Sequence, residues 1–492
     1  MIIFRIKWHW IAGGVCMALF FLLLAFRLDL FGERLSASQE RDTPSYVRIL
    51  SNRETWMTIS QEGKKIGYAH RRFFRAGRGY RFVESVFMRI NTMGVVQGIS
   101  LKTEGELLPD MSLSSFDFHL HSSLFSFTAR GVVKGKRLTL HSGTGDSMKR
   151  TEIPLKETPY LTNGILESVF RAGLKPGQSR TFHIFDPATM GQRPVKVSLL
   201  GDEMVTIMGR RQKAGKVAVD FMGARQFAWI GEDGSILREE GILGITLEQV
   251  TEKQALKGLA ASSSADLTEI ASIAADKAIA APEKLTELEV ELIITGMENT
   301  NLLLDGDRQR LEGNVLTIHR ESMATLPLQP PVLTGNKAFL APTPFIQSDH
   351  PQIQAVAGRI VSPHDPPAVK AEKLVAWVHK NIEKRPVLSV PNALETLNNL
   401  VGDCNEHAVL LAALARAAGI PAQVEAGIVY QRGRFYYHAW NVLFLGRWVT
   451  ADAVMGQMPA DVTHIRFVRG TTEQQVDLIS VIGKVRLKIR KS

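Results

Sequence analysis

Gly402-Asp403-Cys404-Asn405-Glu406-His407-Ala408 opens a stretch that runs to Gly419-Ile420-Pro421-Ala422 and closes with Tyr437-His438-Ala439-Trp440 and Thr450-Ala451-Asp452. Apolar side chains at Ala408, Leu411, Ala412, Ala415 and Ala418 recur at helical spacing, and Gly419 followed by Pro421 stops the helix. Asp403 is placed to cap its N-terminus. Cys404 then falls in the first turn, where free backbone N–H groups and the positive end of the helix dipole favour thiolate; this predicts a thiol pKa below the ordinary value of about 8.5. Beyond the stop, Ala422, Val424, Ala426, Ile428 and Tyr430 alternate with other residues, the pattern of a strand. A second strand from about Tyr436 to Leu445 turns at Gly446 and returns as Trp448 to Asp452. His438 and Asp452 lie equally far from Leu445, so a tight hairpin sets them nearly opposite each other. An aspartate beside the imidazole fixes its tautomer while the other ring nitrogen faces the sulfur, the parts of an activated thiol nucleophile.

Gly-x-Cys-x-Glu at a helix start, Gly-Ile-Pro-Ala at its end, His-Ala-Trp on a strand and a trailing aspartate resemble the motifs of the transglutaminase-like superfamily, over about residues 350–470. The resemblance implies the papain-like cysteine-proteinase fold, with Cys404, His438 and Asp452 as catalytic triad. Asn441 stands where many relatives carry an acidic residue, and Ala453 follows Asp452 where proline is common. Neither is a triad position, so these departures bear on substrate preference. An acyl-transfer thiol also needs a group to stabilise the oxyanion. The backbone N–H of Cys404 is the first donor, and Asn398 and Asn399 are the side-chain candidates, since papain-like enzymes use a side-chain amide at a similar distance upstream.

Plainer readings compete with these. A lone cysteine is commonly a small buried hydrophobe, and His438 shares its strand face with Trp440, Val442 and Phe444, which would suit a core histidine. The partnership of the three residues favours the nucleophile. Cys404, His407, His438 and Asp452 could also be counted as metal ligands, but helix and hairpin would have to converge on one ion; no metal and no cofactor are expected.

Moving outward, the 59 basic and 49 acidic residues leave a net charge of +10, moderate for 492 residues. Part of it is local: Lys484, Arg486, Lys488, Arg490 and Lys491 alternate with Val485, Leu487 and Ile489, the pattern of a strand with one basic face. No helix-turn-helix, zinc-finger or Gly-rich phosphate signature accompanies the charge, so no nucleic-acid partner is expected. Trp8 to Phe26 carries no acidic or basic side chain apart from His9, enough helix to reach about 28 Å. Arg5 and Lys7 precede it. The run is long and has no convincing small-x-small cleavage site, which favours an uncleaved anchor over a signal peptide. The rest of the chain then lies outside the cytoplasmic (inner) membrane, in the periplasm or beyond, as a single-pass protein in contact with the membrane through residues 8–26. There Cys404 is the only cysteine, so no disulfide forms within the chain.

The expected fold class is α+β, in five parts. Residues 1–30 are a transmembrane anchor. Residues 46–252 are β-rich, with short alternating runs punctuated by turns such as Lys134-Gly135-Lys136 and Glu232-Asp233-Gly234; they loosely resemble the half-barrel of periplasmic lipoprotein carriers. Residues 253–285 read as an Ala/Ser-rich linker, 286–345 as a β extension with a Pro-rich connection, and 346–492 as the transglutaminase-like catalytic domain. The expected activity is cysteine acyl transfer on amide bonds of proteins or cell-envelope peptides, with hydrolysis favoured over cross-linking because water needs no second binding site. The alternative is a binding or scaffold protein of the cell envelope.

Overall fold

The computed structural model describes residues 51–143, 148–221, 224–258, 266–295, 302–324, 326–327, 335–470 and 472–492. The membrane span expected at residues 8–26 lies outside them; among the described residues no helix is long and apolar enough to cross a membrane.

The first half is β-rich, as its alternating runs imply. Fifteen strands between Arg53 and Val250 form one sheet whose middle is the antiparallel pair Arg53–Gln61 and Ile245–Val250, with Trp56 opposite Val250. From that pair the strands run outward to Lys149–Pro154 on one side and Pro159–Leu161 on the other. All neighbours are antiparallel except Pro159–Leu161 and Ser179–Asp186, which are parallel. Side chains of period two fill two cores: Phe82, Phe116, Phe127, Leu138 and Leu140 in one, Met57, Ile59, Phe182, Val195 and Val217 in the other, the latter covered by the helix Ile165–Ala172.

In the second half the helix Cys404–Ala417 is buried on every side from Glu406 to Ala415, as an all-round apolar sequence requires. Packed against it are the helices Pro351–Ile360, Pro367–Asn381 and Ala393–Asn399 and the sheet formed by Ala422–Gln431, Arg434–Phe444 and Ile465–Gly470, with Trp448–Ala451 pairing the far end of Arg434–Phe444. A four-stranded sheet adds Gln309–Glu312, Val315–His319, Glu287–Ile294 and Val485–Lys491, in that spatial order. Leu292 faces Leu487 and Val290 faces Ile489, and these residues share one core with the Cys404 helix. Arg490 pairs with Glu291 at 3.1 Å and Lys491 with Glu287 at 2.7 Å, so part of the basic face answers acidic residues of its own sheet.

Residues 266–285 correct the linker reading. Asp266 caps a short helix, Leu267–Ala271; Ile273–Ala274 then pairs with Phe435 and Arg434 on the edge of the sheet that packs on the Cys404 helix, and Ile279 is buried in the same core as that helix. Composition shows an Ala/Ser bias here, but what orders these residues is contact with partners far along the chain. The two halves meet through the segment before the Cys404 helix. Phe345 and Val390 enter the β-half core, Gln97 Nε2 donates to the Pro386 carbonyl at 2.6 Å, and the Ser126 N–H donates to Glu395 at 3.2 Å.

Candidate active site

The helix that carries Cys404 starts on a reciprocal cap. Asp403 accepts the Asn405 N–H at 2.9 Å, and Glu406 reaches back to the Asp403 N–H at 3.0 Å. A Cβ on Gly402 would lie 2.3 Å from the Glu406 Cβ, so the chain can turn into the helix this closely only at a glycine. The half-buried thiol does not behave as its place in the first turn suggests. Burial pushes Cys404 well above the ordinary thiol value, and the Asp403 carboxylate adds to this; the Ala439 N–H pulls the other way, while Glu406 and Asp452 push up again. The expected low thiol pKa is thus corrected, because desolvation and nearby acidic groups outweigh the helix terminus. Glu406 is itself buried and pushed well up by burial and by Asp403, with the Ser389 hydroxyl that donates to it opposing.

His438 comes from the strand Arg434–Phe444 and Asp452 from just past Trp448–Ala451. The hairpin pairs Asn441 with Ala451, so the two residues sit out of direct register, and the Asp452 Oδ2 reaches back to His438 Nε2 at 2.8 Å. The carboxylate accepts, which makes Nε2 the proton-bearing nitrogen and leaves Nδ1 as the basic one. The other oxygen, Oδ1, accepts the N–H groups of Val454 and Met455 at 2.7 and 3.0 Å. Asp452 is fully buried, which opposes its charge; His438 and His464 outweigh this and hold its carboxyl well below the usual range.

His464 is the partner that sequence reasoning missed. Its Nε2 lies 2.9 Å from the same Oδ2, and its Nδ1 is 3.3 Å from Asp461 Oδ1. Burial works against its charge, yet hydrogen bonds to Asp452 and Asp461 raise its pKa to about 9. A buried imidazolium therefore stands behind the carboxylate. Arg308, far upstream, fixes the loop that carries it: its guanidinium donates to the carbonyls of Ala460, Asp461 and His464 at 2.7, 3.0 and 2.8 Å. Trp440, buried beside both imidazoles, donates Nε1 to Glu425 at 2.8 Å and meets the His464 ring edge-on. Asn441 is wholly buried and donates to the Ala408 carbonyl at 2.9 Å, tying the His438 strand to the Cys404 helix.

Cys404 and His438 border one cavity of about 1040 Å³, which also touches Met93, Leu267, Lys384, Val387, Tyr437 and Met455. Among the described residues no hydrogen bond joins the sulfur to the His438 ring; the two share the cavity wall. Asn398 and Asn399 correct the oxyanion reading: both are exposed at the end of Ala393–Asn399, neither borders the cavity, and Asn399 donates to the Leu124 carbonyl at 3.2 Å. Leu400, left-handed at φ 54, turns the chain between them and Cys404, so sequence distance does not become spatial approach. His407 does not join the site either. Its Nδ1 is 2.7 Å from the Asp403 carbonyl and burial keeps it neutral. The His and Asp atoms that do converge, within 4.8 Å of one another, belong to His438, Asp452 and His464.

No curated protein matches the sequence. Among solved structures, a proposed cysteine protease from Cytophaga hutchinsonii is 16% identical over 41% of this chain and 83% of its own, with a TM-score of 0.27. A β-barrel-like protein of a domain family of unknown function from Brucella abortus is 14% identical over 41% of this chain and 96% of its own, with a TM-score of 0.33. Residues 354–453, from the first helix of the second half through the His438–Asp452 hairpin, match the model of the transglutaminase-like superfamily, and this part of the chain is a transglutaminase-like domain.

Proposed function

We propose that the protein is a membrane-anchored cysteine acyl-transfer enzyme acting on amide bonds, with Cys404 as nucleophile, His438 as base and acid, and Asp452 as the group that orients His438. The observation that carries this is the His438–Asp452 hydrogen bond of 2.8 Å at the wall of a cavity that Cys404 also borders. Since the thiol is pushed up, it starts protonated. Proton transfer to His438 Nδ1 accompanies attack of the sulfur on the carbonyl carbon. The oxyanion meets the backbone N–H of Cys404 at the helix start. The C–N bond then breaks, the leaving amine takes the proton from His438, and a thioester remains on Cys404. Water, deprotonated by His438, cleaves the thioester to a carboxylic acid and the thiol; an amine in its place gives a new amide. Hydrolysis is the simpler course. The apolar run from Trp8 to Phe26 supports anchoring in the cytoplasmic membrane, with the transglutaminase-like domain on its far side.

The test is mass spectrometry of the full chain after incubation with cell-envelope peptides. An acyl mass on Cys404 is expected in the wild type and absent in Cys404→Ala and His438→Ala. Turnover in Asp452→Asn should fall by about 10⁴, as for the orienting aspartate of serine proteases. A wild-type chain that never acquires the acyl mass, in cells whose function survives Cys404→Ala, would favour the scaffold alternative.

A further inference from the structure

We infer that the β-rich half supplies part of the substrate site: the hairpin tip at Met93-Gly94, held against the helix Leu267–Ala271, forms a subsite for an apolar side chain of a polypeptide acyl donor. The inference rests on the proposed role of Cys404. Met93 and Gly94 occupy the turn between Gly79–Thr92 and Val95–Leu107 with φ of 51 and 76, positions where Asn-Gly is the intrinsically favoured pair. Turn chemistry does not call for methionine there. Yet Met93 borders the Cys404 cavity and is 61% exposed, with Val95, Val96 and Ile270 exposed nearby in sequence on the same two elements. An unbranched thioether suits the recognition of varied apolar shapes.

The tip does not hang free. Asp266 Oδ1 accepts the Met93 N–H at 3.1 Å and the Thr268 N–H at 2.8 Å, and its Oδ2 accepts the Gly94 N–H at 2.6 Å, so one carboxylate joins the tip to the helix. The helix is in turn fixed to the His438 strand: Ile273 pairs with Phe435, and Arg434 Nε donates to Ser272 Oγ at 2.7 Å. The wall therefore keeps its place relative to the thiol.

Three of its charged groups are already engaged, and the exposed carboxylate of Glu269, on the helix itself, disfavours an acidic side chain. Lys384 donates to the His379 carbonyl at 2.6 Å, Arg385 pairs with Glu383 at 2.6 Å, and Asp266 is taken up by the three N–H groups. Apolar contact at this wall comes from Met93, Leu267, Pro386 and Val387. At about 1040 Å³ the cavity lies at the upper end for small-molecule sites, room for several residues of an extended peptide.

The full-length chain is treated with two N-acetyl-dipeptidyl chloromethyl ketones that differ only in carrying Leu or Asp next to the reactive carbonyl residue, and with iodoacetamide; the rate of Cys404 modification is read by mass spectrometry. The Leu probe is expected to react about tenfold faster or more than the Asp probe, within the range an apolar pocket can discriminate. Met93→Asn, which suits the turn and so preserves the fold, should erase most of that preference. It should leave the iodoacetamide rate unchanged, and Met93→Leu should retain the preference. An unchanged Leu/Asp ratio in Met93→Asn overturns the subsite while leaving Cys404 chemistry intact. Peptide probes that react no faster in wild type than in His438→Ala overturn the catalytic reading, and the subsite with it.

Discussion

His464 shows how one side chain can set the state of another without touching the reacting atoms. It shares Asp452 Oδ2 with His438, and two carboxylates hold its charge. Its pKa of about 9 in the fold stands above the ordinary histidine value of about 6.5, so its stabilising contribution is fully present below the latter and disappears as pH rises through the former. His464→Gln keeps a donor but removes the charge. Thermal melts from pH 6 to pH 10 should show a gap between wild type and variant that is widest near pH 6 and has closed by pH 10; a gap constant across that range would remove the charge from the account. The sequence makes His438 and Asp452 readable because a hairpin joins them, and local turns are encoded locally. His464 carries no such mark, since it lies in a loop past the hairpin and its approach depends on Arg308, from the turn before a strand of another sheet. The thiol's direction was also misread, since a helix terminus is visible in sequence and the depth of burial around it is not.

Helix Ala393–Asn399 carries a second buried acid, Glu395, against the β half. Burial raises its carboxyl to about 7, with the Ser126 N–H opposing. Its folded value exceeds the unfolded value of about 4.3, so ionisation costs stability increasingly between these two values and by a constant amount above the higher one. Glu395→Gln should therefore melt about 1–3 °C higher than wild type at pH 8 and no higher at pH 4; differential scanning calorimetry at the two pH values checks it. This contact between the halves joins residues 269 positions apart, which no local pattern reports. By contrast the Cys404 helix was legible at both ends, from Asp403 as cap and from Gly419 at φ 84 as stop. The Leu267–Ala271 helix was not, because its short Ala/Ser-flanked sequence acquires order only from Met93, Gly94 and the His438 strand.

At the scale of the molecule, the transglutaminase-like unit reaches beyond its own motifs. Leu288, Val290, Leu316 and Ile318 belong to the core that buries the Cys404 helix, and Arg308 fixes the loop behind Asp452. A fragment of residues 346–492 should therefore fail to give a cooperative thermal transition, whereas one beginning at residue 266 should give one; circular dichroism melts of the two decide it. The strand Val485–Lys491 closes that core by pairing with Glu287–Ile294, about 200 positions earlier, as Glu289 opposite Lys491 shows. Such distant pairing is slow to form and cannot begin before both strands exist. During synthesis, then, Cys404 emerges well before the strand that completes its surroundings. Until the segment through Lys491 has emerged, a growing chain carries the thiol without the strand that closes its core, and the proposed chemistry waits on that strand.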